Sequence, residues 1–307
     1  MTNLLGTSYK IDKSNAFWAS LGHELNKAQA QGMALRWNGT TDIVSEPILN
    51  AAMYLAPSDS GGLGNLCPWA TDGCRIVCLG IGSGRMNQGK AILDSREFDW
   101  EKTTVSKAMI WRTTLFMRER PKFKALLDSE IGALRDKAKR QGMRAAVRLN
   151  ATTDIVWEKV YPELFAKYPD VIFYDYTKAP FKARNKRAAN YHLTFSYAET
   201  AENHAHAAEW LANGGNVAAV FSTAKGDALP PTFLGRPVID ADKHDMRFID
   251  PENVVAGLRA KGAAKHDATG FVVQVCGQCG QCVGRAGGCY LCKCDCRDIW
   301  INETWAS

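Results

Sequence analysis

Short apolar runs alternate with helical periodicity along most of this chain. From residue 145 onward, apolar runs fall at 145–149, 171–174, 192–195, 217–221, 237–239 and 271–275. Between them the spacing predicts helix at 157–167, a basic helical stretch at 181–189, and helices at 200–212 and 252–260, the last ended by Gly262. Runs that are apolar throughout, alternating with helices, predict parallel strands buried on both faces. Upstream, a helix is expected over 15–30, a short strand over 33–37 and an apolar run over 48–55. Helices over 105–118 and 122–140 follow, separated at Pro121.

Each predicted strand ends in a burst of polar side chains. These are Asn150, Thr153 and Asp154; then Asp175, Tyr176, Thr177 and Lys178; then Ser196, Tyr197 and Glu199; then Ser222, Thr223 and Lys225; then Asp240, Asp242, His244 and Asp245. A single Ser or Thr there reads as a helix cap. Five loaded strand ends in succession point instead to a TIM-like (β/α) barrel, complete or partial, whose site lies at the C-terminal ends of its strands. On this reading Asp154, Asp175, Lys178 and Glu199 are the candidate catalytic residues. Asn150 and Ser196 are candidate cofactor contacts.

The cysteines change the picture most. The segment Asn65-Leu66-Cys67-Pro68-Trp69-Ala70-Thr71-Asp72-Gly73-Cys74-Arg75-Ile76-Val77-Cys78 carries three thiols spaced C-x6-C-x3-C. A closed zinc site takes four ligands. Three thiols suit an iron–sulfur cluster, of the four-iron type, with one iron left open to a small molecule. The following run, with Gly80, Gly82 and Gly84, would let backbone approach such a cofactor. From residue 276 the composition shifts again: Cys276, Cys279, Cys282, Cys289, Cys292, Cys294 and Cys296 crowd into a glycine-rich tail. Paired C-x2-C units separated by a spacer predict a metal site there, a second cluster or a zinc. The expected organisation is therefore a barrel domain over 1–275, including the cysteine loop at 67–84, and a metal-binding tail over 276–307.

Composition and charge narrow the class. The 307 residues are 46% hydrophobic and carry ten cysteines, with a net charge of +6. That argues against disorder, and no apolar run approaches the length of a membrane span. The start lacks the layout of a signal peptide, so a cytoplasmic protein with reduced thiols is expected. Basic groups over 107–148 and 178–187 favour a phosphate-bearing partner, a small molecule or a nucleic acid. An electron donor is implied if the cluster is redox-active. Two further readings stand beside the iron–sulfur enzyme: a nucleic-acid-binding protein with structural zinc, and a hydrolase holding a hard metal at Asp240, Asp242, His244 and Asp245. Finally, Arg36-Trp37-Asn38-Gly39-Thr40-Thr41-Asp42-Ile43-Val44 returns as Arg148-Leu149-Asn150-Ala151-Thr152-Thr153-Asp154-Ile155-Val156, which suggests an internal duplication.

Two resemblances follow from these residues. Asn65-Leu66-Cys67-Pro68 with Cys74 and Cys78, residues 147–158, 173–178, 193–196, 216–221 and the run 240–250 resemble the bacteriophage "gene product eighty-eight" domain proteins over roughly 50–275. This implies a phage or prophage product acting in the host cytoplasm, and brings no activity with it. A looser likeness, a strand followed by a three-cysteine loop and repeated β/α units, resembles radical S-adenosylmethionine enzymes. It implies that Cys67, Cys74 and Cys78 hold a cluster whose fourth iron is chelated by S-adenosylmethionine, with Asp154 or Glu199 accepting hydrogen bonds from an amine or ribose. The spacing departs from that family's C-x3-C-x2-C, and Thr152-Thr153-Asp154 stands where a Gly-Gly-Glu is usual.

Overall fold

The computed structural model describes residues 3–6, 11–12, 15–16, 47–82, 98–184 and 187–275. The expected elements at 15–30 and 33–37, the first copy of the repeated segment, Gly84 and all seven tail cysteines lie outside these residues, wholly or, for the first of them, nearly so. The described chain forms a mixed α/β fold on one nine-stranded, mostly parallel sheet. Its strands are β1 (Leu5–Gly6), β2 (Ile48–Met53), β3 (Arg144–Arg148), β4 (Ile172–Thr177), β5 (Tyr191–Ser196), β6 (Asn216–Phe221), β7 (Thr232–Phe233), β8 (Arg236–Asp240) and β9 (Val255–Arg259). They lie in the order β1-β2-β3-β4-β5-β6-β9-β8-β7. All neighbours are parallel except the two outermost pairs, β1 with β2 and β7 with β8.

Helices fill the crossovers. They are α1 (Asp72–Ile76), α2 (Leu79–Gly82), α3 (Thr104–Arg118), α4 (Arg120–Arg140), α5 (Trp157–Val160), α6 (Glu163–Lys167) and α7 (Ala201–Ala212). Pro121 separates α3 from α4 as expected, because it is tolerated in the first turn of a helix and not inside one. Alternation along the strands divides two cores. Ala145, Val147, Phe173, Leu193, Phe195, Val217, Ala219 and Val255 join the main core with Phe123, Leu127, Ile131 and Trp210 from the helices. The opposite face carries Ala146, Ile172 and Tyr174 under Met246, and Ala218 and Ala256 under Ala241. The chain after β8 thus folds back across that face, where Asp245 meets Arg148 of β3 at 2.6 Å.

Three expectations need correction. The stretch 252–260 contains β9 and not a helix. Val254 and Val255 are β-branched, and Gly257 weakens a helix. In β9 that glycine is required, since a Cβ there would lie 2.7 Å from Val238 and 2.9 Å from Leu229. The basic stretch 181–189 forms only a 3-10 turn at Phe181–Ala183. The run 271–275 makes only isolated bridges, Val273 to Phe221 among them, and not a strand. Barrel closure is not seen: among the described residues, β1 and β7 stand at opposite ends of the order and do not pair.

The Arg148–Asp245 pair is largely withdrawn from water, so removing one partner strands the other charge. Asp245→Ala is expected to destabilise the protein by about 3–5 kcal/mol, read as a shifted urea midpoint. Asp245→Asn should cost less, because it keeps a hydrogen-bond acceptor for the guanidinium.

Candidate functional site

The cysteine loop leaves the C-terminal end of β2 and is fixed by hydrogen bonds to the ends of two further strands, β3 and β5. The Ser58 amide donates to Cys67 Sγ at 3.1 Å, and Cys67 Sγ lies 3.8 Å from the Thr152 carbonyl. The Asp154 amide donates to the Leu66 carbonyl at 2.9 Å. Thr71 caps α1, its hydroxyl accepting from the Cys74 amide. The Glu199 carboxylate then accepts from both the Thr71 hydroxyl and the Gly73 amide, each at 2.8 Å. Gly73 is the residue this approach demands, since a Cβ there would sit 2.4 Å from Thr269 Oγ1 and 2.7 Å from Glu199 Cδ. Cys78 follows α1 and its carbonyl accepts from the Ile81 and Gly82 amides.

The three thiols of the loop are free and half-buried. Burial, with a smaller contribution from neighbouring thiols of the same loop, pushes Cys67 up to about 12 and Cys78 up to about 11. The Lys178 ammonium acts in the opposite direction at Cys78. Its Nζ donates to Ser196 Oγ at 2.7 Å and lies 5.4 Å from the centre of the Phe271 ring.

The other predicted residues divide by environment. Asn150 is buried and organises the loop after β3: its Oδ1 accepts from Thr153, the Ile155 amide and Trp157 Nε1, and its Nδ2 donates to the Ile155 carbonyl. The Asp154 carboxylate accepts from the Thr177 hydroxyl and the Lys178 amide, both at 2.7 Å. Burial raises its pKa and the Arg184 guanidinium opposes that. Asp175 accepts from the Asn150 amide at 2.6 Å and the Tyr191 hydroxyl at 2.7 Å. Desolvation pushes it up to about 7 against both of these hydrogen bonds. Gly80 lies against Thr152 and Pro57, and Gly82 is buried at the end of α2. The structure thus brings Cys67, Cys74, Cys78, Lys178 and Glu199 to one loop, with Asp154 beneath it. Asp175 belongs to an interior network with Tyr191 and Arg184.

Arg184 is the residue the sequence did not single out. It is only 1% exposed. Its guanidinium reaches Glu158 at 3.0 Å, Thr177 and Tyr191 at 3.1 Å, and Asp154 at 3.6 Å. Within the basic stretch nothing distinguishes it from its neighbours. Only the four polar residues placed around it by separate segments reveal it as a core cation.

The remaining candidates are largely neutralised. Arg259 pairs with Asp240 at 3.0 Å and Asp242 at 3.3 Å, and Lys261 reaches Asp242 at 2.5 Å. His244 is buried beside Arg247. On the basic helices, Lys107, Lys122, Lys124 and Arg135 each reach an acidic side chain. Among the described residues no group of three or more His, Cys, Asp or Glu side chains is arranged to hold a metal ion. No helix among them is long and apolar enough to cross a membrane.

Comparison with known proteins gives one match: the family model described as Gene product 88 aligns with residues 46–285. Neither a curated protein nor a solved structure matches the chain.

Two outcomes follow from this geometry. Gly73→Ala should displace the Glu199 carboxylate and loosen the loop, read as faster alkylation of Cys67, Cys74 and Cys78 under native conditions. Asp175 gives a pH dependence. Its folded pKa, about 7, lies above the ordinary carboxylate value. The folded chain therefore binds this proton more tightly than the unfolded chain. That contribution is complete below about pH 4 and is lost as pH rises through about 7, on the order of 1 kcal/mol per pH unit. The difference in denaturation midpoint between wild type and Asp175→Asn should change sharply across this window and level off above it.

Proposed function

The chain belongs to the Gene product 88 family, and we propose that it is an iron–sulfur enzyme of phage type, with Cys67, Cys74 and Cys78 as the cluster ligands. The observation that carries this reading is the presence of three free, half-buried thiols on one hydrogen-bonded loop at the C-terminal ends of parallel strands. The donor set fits a cluster better than a single ion. Each cluster thiolate binds its own iron, so the ligands need not crowd around one point, and three of them leave one iron open. When bound, such a cluster supplies single electrons to a small molecule on its open iron, and S-adenosylmethionine is the ligand this layout suggests.

The chain's own residues do the rest. Glu199, through Thr71 and Gly73, and Asp154, through Leu66, hold the ligand loop in register with β3 and β5. Lys178 places an ammonium beside Cys78, where it offsets thiolate charge. With one hydrogen bond given to Ser196, it keeps donors for an anionic group on a ligand, such as a carboxylate or phosphate. The consecutive parallel order β2 to β6 supports a partial (β/α) barrel, since right-handed crossovers place the connecting helices on one side and the strand ends around one mouth. The tail thiols would hold a second cluster or a zinc.

The test is anaerobic purification with iron, sulfide and zinc analysis of the wild type and a Cys67/Cys74/Cys78 triple Ala variant. Low-temperature EPR of the reduced protein is recorded with and without S-adenosylmethionine. The expected result is an iron signal that the triple variant loses and S-adenosylmethionine alters. Zinc alone, unaffected by the loop substitutions, would sink the reading and leave a zinc-binding protein.

A further inference from the structure

A cavity of about 240 Å³ opens against the cysteine loop at Asn65, Leu66 and Pro68, with none of the loop's cysteines in its lining. Its apolar walls come from Leu66, Phe116, Met117, Ile155 and Val160, and its polar groups include Asn65 and Arg120. Asp154 also borders it, but that carboxylate is engaged by Thr177, the Lys178 amide and Arg184. Arg120 is thus the charge the cavity presents. Its guanidinium lies 3.8 Å from the centre of the Phe116 ring, and its Nε donates to the Phe116 carbonyl at 2.7 Å. Stacking and this bond fix the plane of the fork, and the two Nη groups have no partner among the described residues. The adjacent acid, Glu119, pairs with Lys122 instead. Burial lowers the Arg120 pKa with no acidic group set against it.

We infer that this cavity is a binding site for a small apolar monocarboxylate, held by Arg120 and separate from the cluster loop's own ligand. A fixed guanidinium edge matches a planar carboxylate through two parallel N–H···O bonds. Hydrocarbon walls match an aliphatic or aromatic body. One cation and this volume do not suit a nucleotide with several phosphates. Because Asn65, Leu66 and Pro68 flank Cys67 and line the cavity, an occupant rests against the segment that carries the first thiol.

The probe is phenylacetate, with phenylacetamide as its neutral counterpart, titrated into the full chain and followed by saturation-transfer NMR. Phenylacetate is expected to bind, with the amide at least about tenfold weaker, since a hydrogen bond to a charged group is lost. Arg120→Gln should weaken phenylacetate by a similar factor while leaving the amide and the far-ultraviolet circular dichroism unchanged. Val160→Phe, which fills the cavity from its wall, should weaken both probes. The inference is overturned if phenylacetate fails to bind, if the amide binds equally well, or if Arg120→Gln leaves the preference intact. None of these results depends on the presence of iron.

Discussion

The buried Arg184 guanidinium is the contact on which the site depends. A cation this deep is tolerated only when it is paired and hydrogen-bonded. Here Asp154 and Glu158 supply charge, and Thr177 and Tyr191 supply oxygen. These partners come from the loop after β3, from α5, from the end of β4 and from β5. One side chain therefore sets three strand ends in register. Asp154, once oriented, places its own amide on the Leu66 carbonyl, so the register passes from the core cation to the residue before Cys67. Glu199 repeats this logic from β5, gripping the other end of the loop through Thr71 and Gly73. The cysteine loop is therefore held at two points from the sheet, at Leu66 by the Asp154 amide and at Thr71 and Gly73 by the Glu199 carboxylate.

The periodicity of the chain was enough to place most of the sheet. Buried runs such as those of β4 and β6 read as strands because both faces are covered, so apolar residues stand at consecutive positions. β9 was misread because Val254 to Arg259 follows a polar segment and precedes Gly262, which together imitate a helix and its terminator. Its identity as a strand comes from a slot between β6 and β8 that admits only a glycine at position 257. No local signal reports that slot. The same holds for closure of the sheet, which depends on distant edges meeting.

The candidate site was legible as a set of residues and not as a set of roles. Asp154, Asp175, Lys178 and Glu199 were picked out as strand-end polar groups, and all four are engaged in specific contacts. The sequence does not distinguish a carboxylate that meets a ligand from one that anchors a loop. That depends on which donors other segments bring. Glu199 faces the amide of a glycine 126 residues away, and Asp175 faces a tyrosine hydroxyl across β5.

The electrostatics of the loop bear on what it holds. Burial, and after it the charge of other thiols in the loop, raises the pKa of Cys67 and Cys78, and the nearby ammonium of Lys178 is one positive charge against three prospective negative ones. Left empty, such a loop is most stable with its protons in place. To act as thiolates the sulfurs need a multiply charged partner, and binding it must release protons. A thiol set that only packed a core would need neither the half-exposed setting of these residues nor the anchoring of their loop by Asp154 and Glu199. The proposed cluster would supply the missing positive charge, and the anchoring contacts would hold the loop in one arrangement before it binds. The cost of keeping three like groups together is then met by sheet contacts that do not themselves ionise with the thiols.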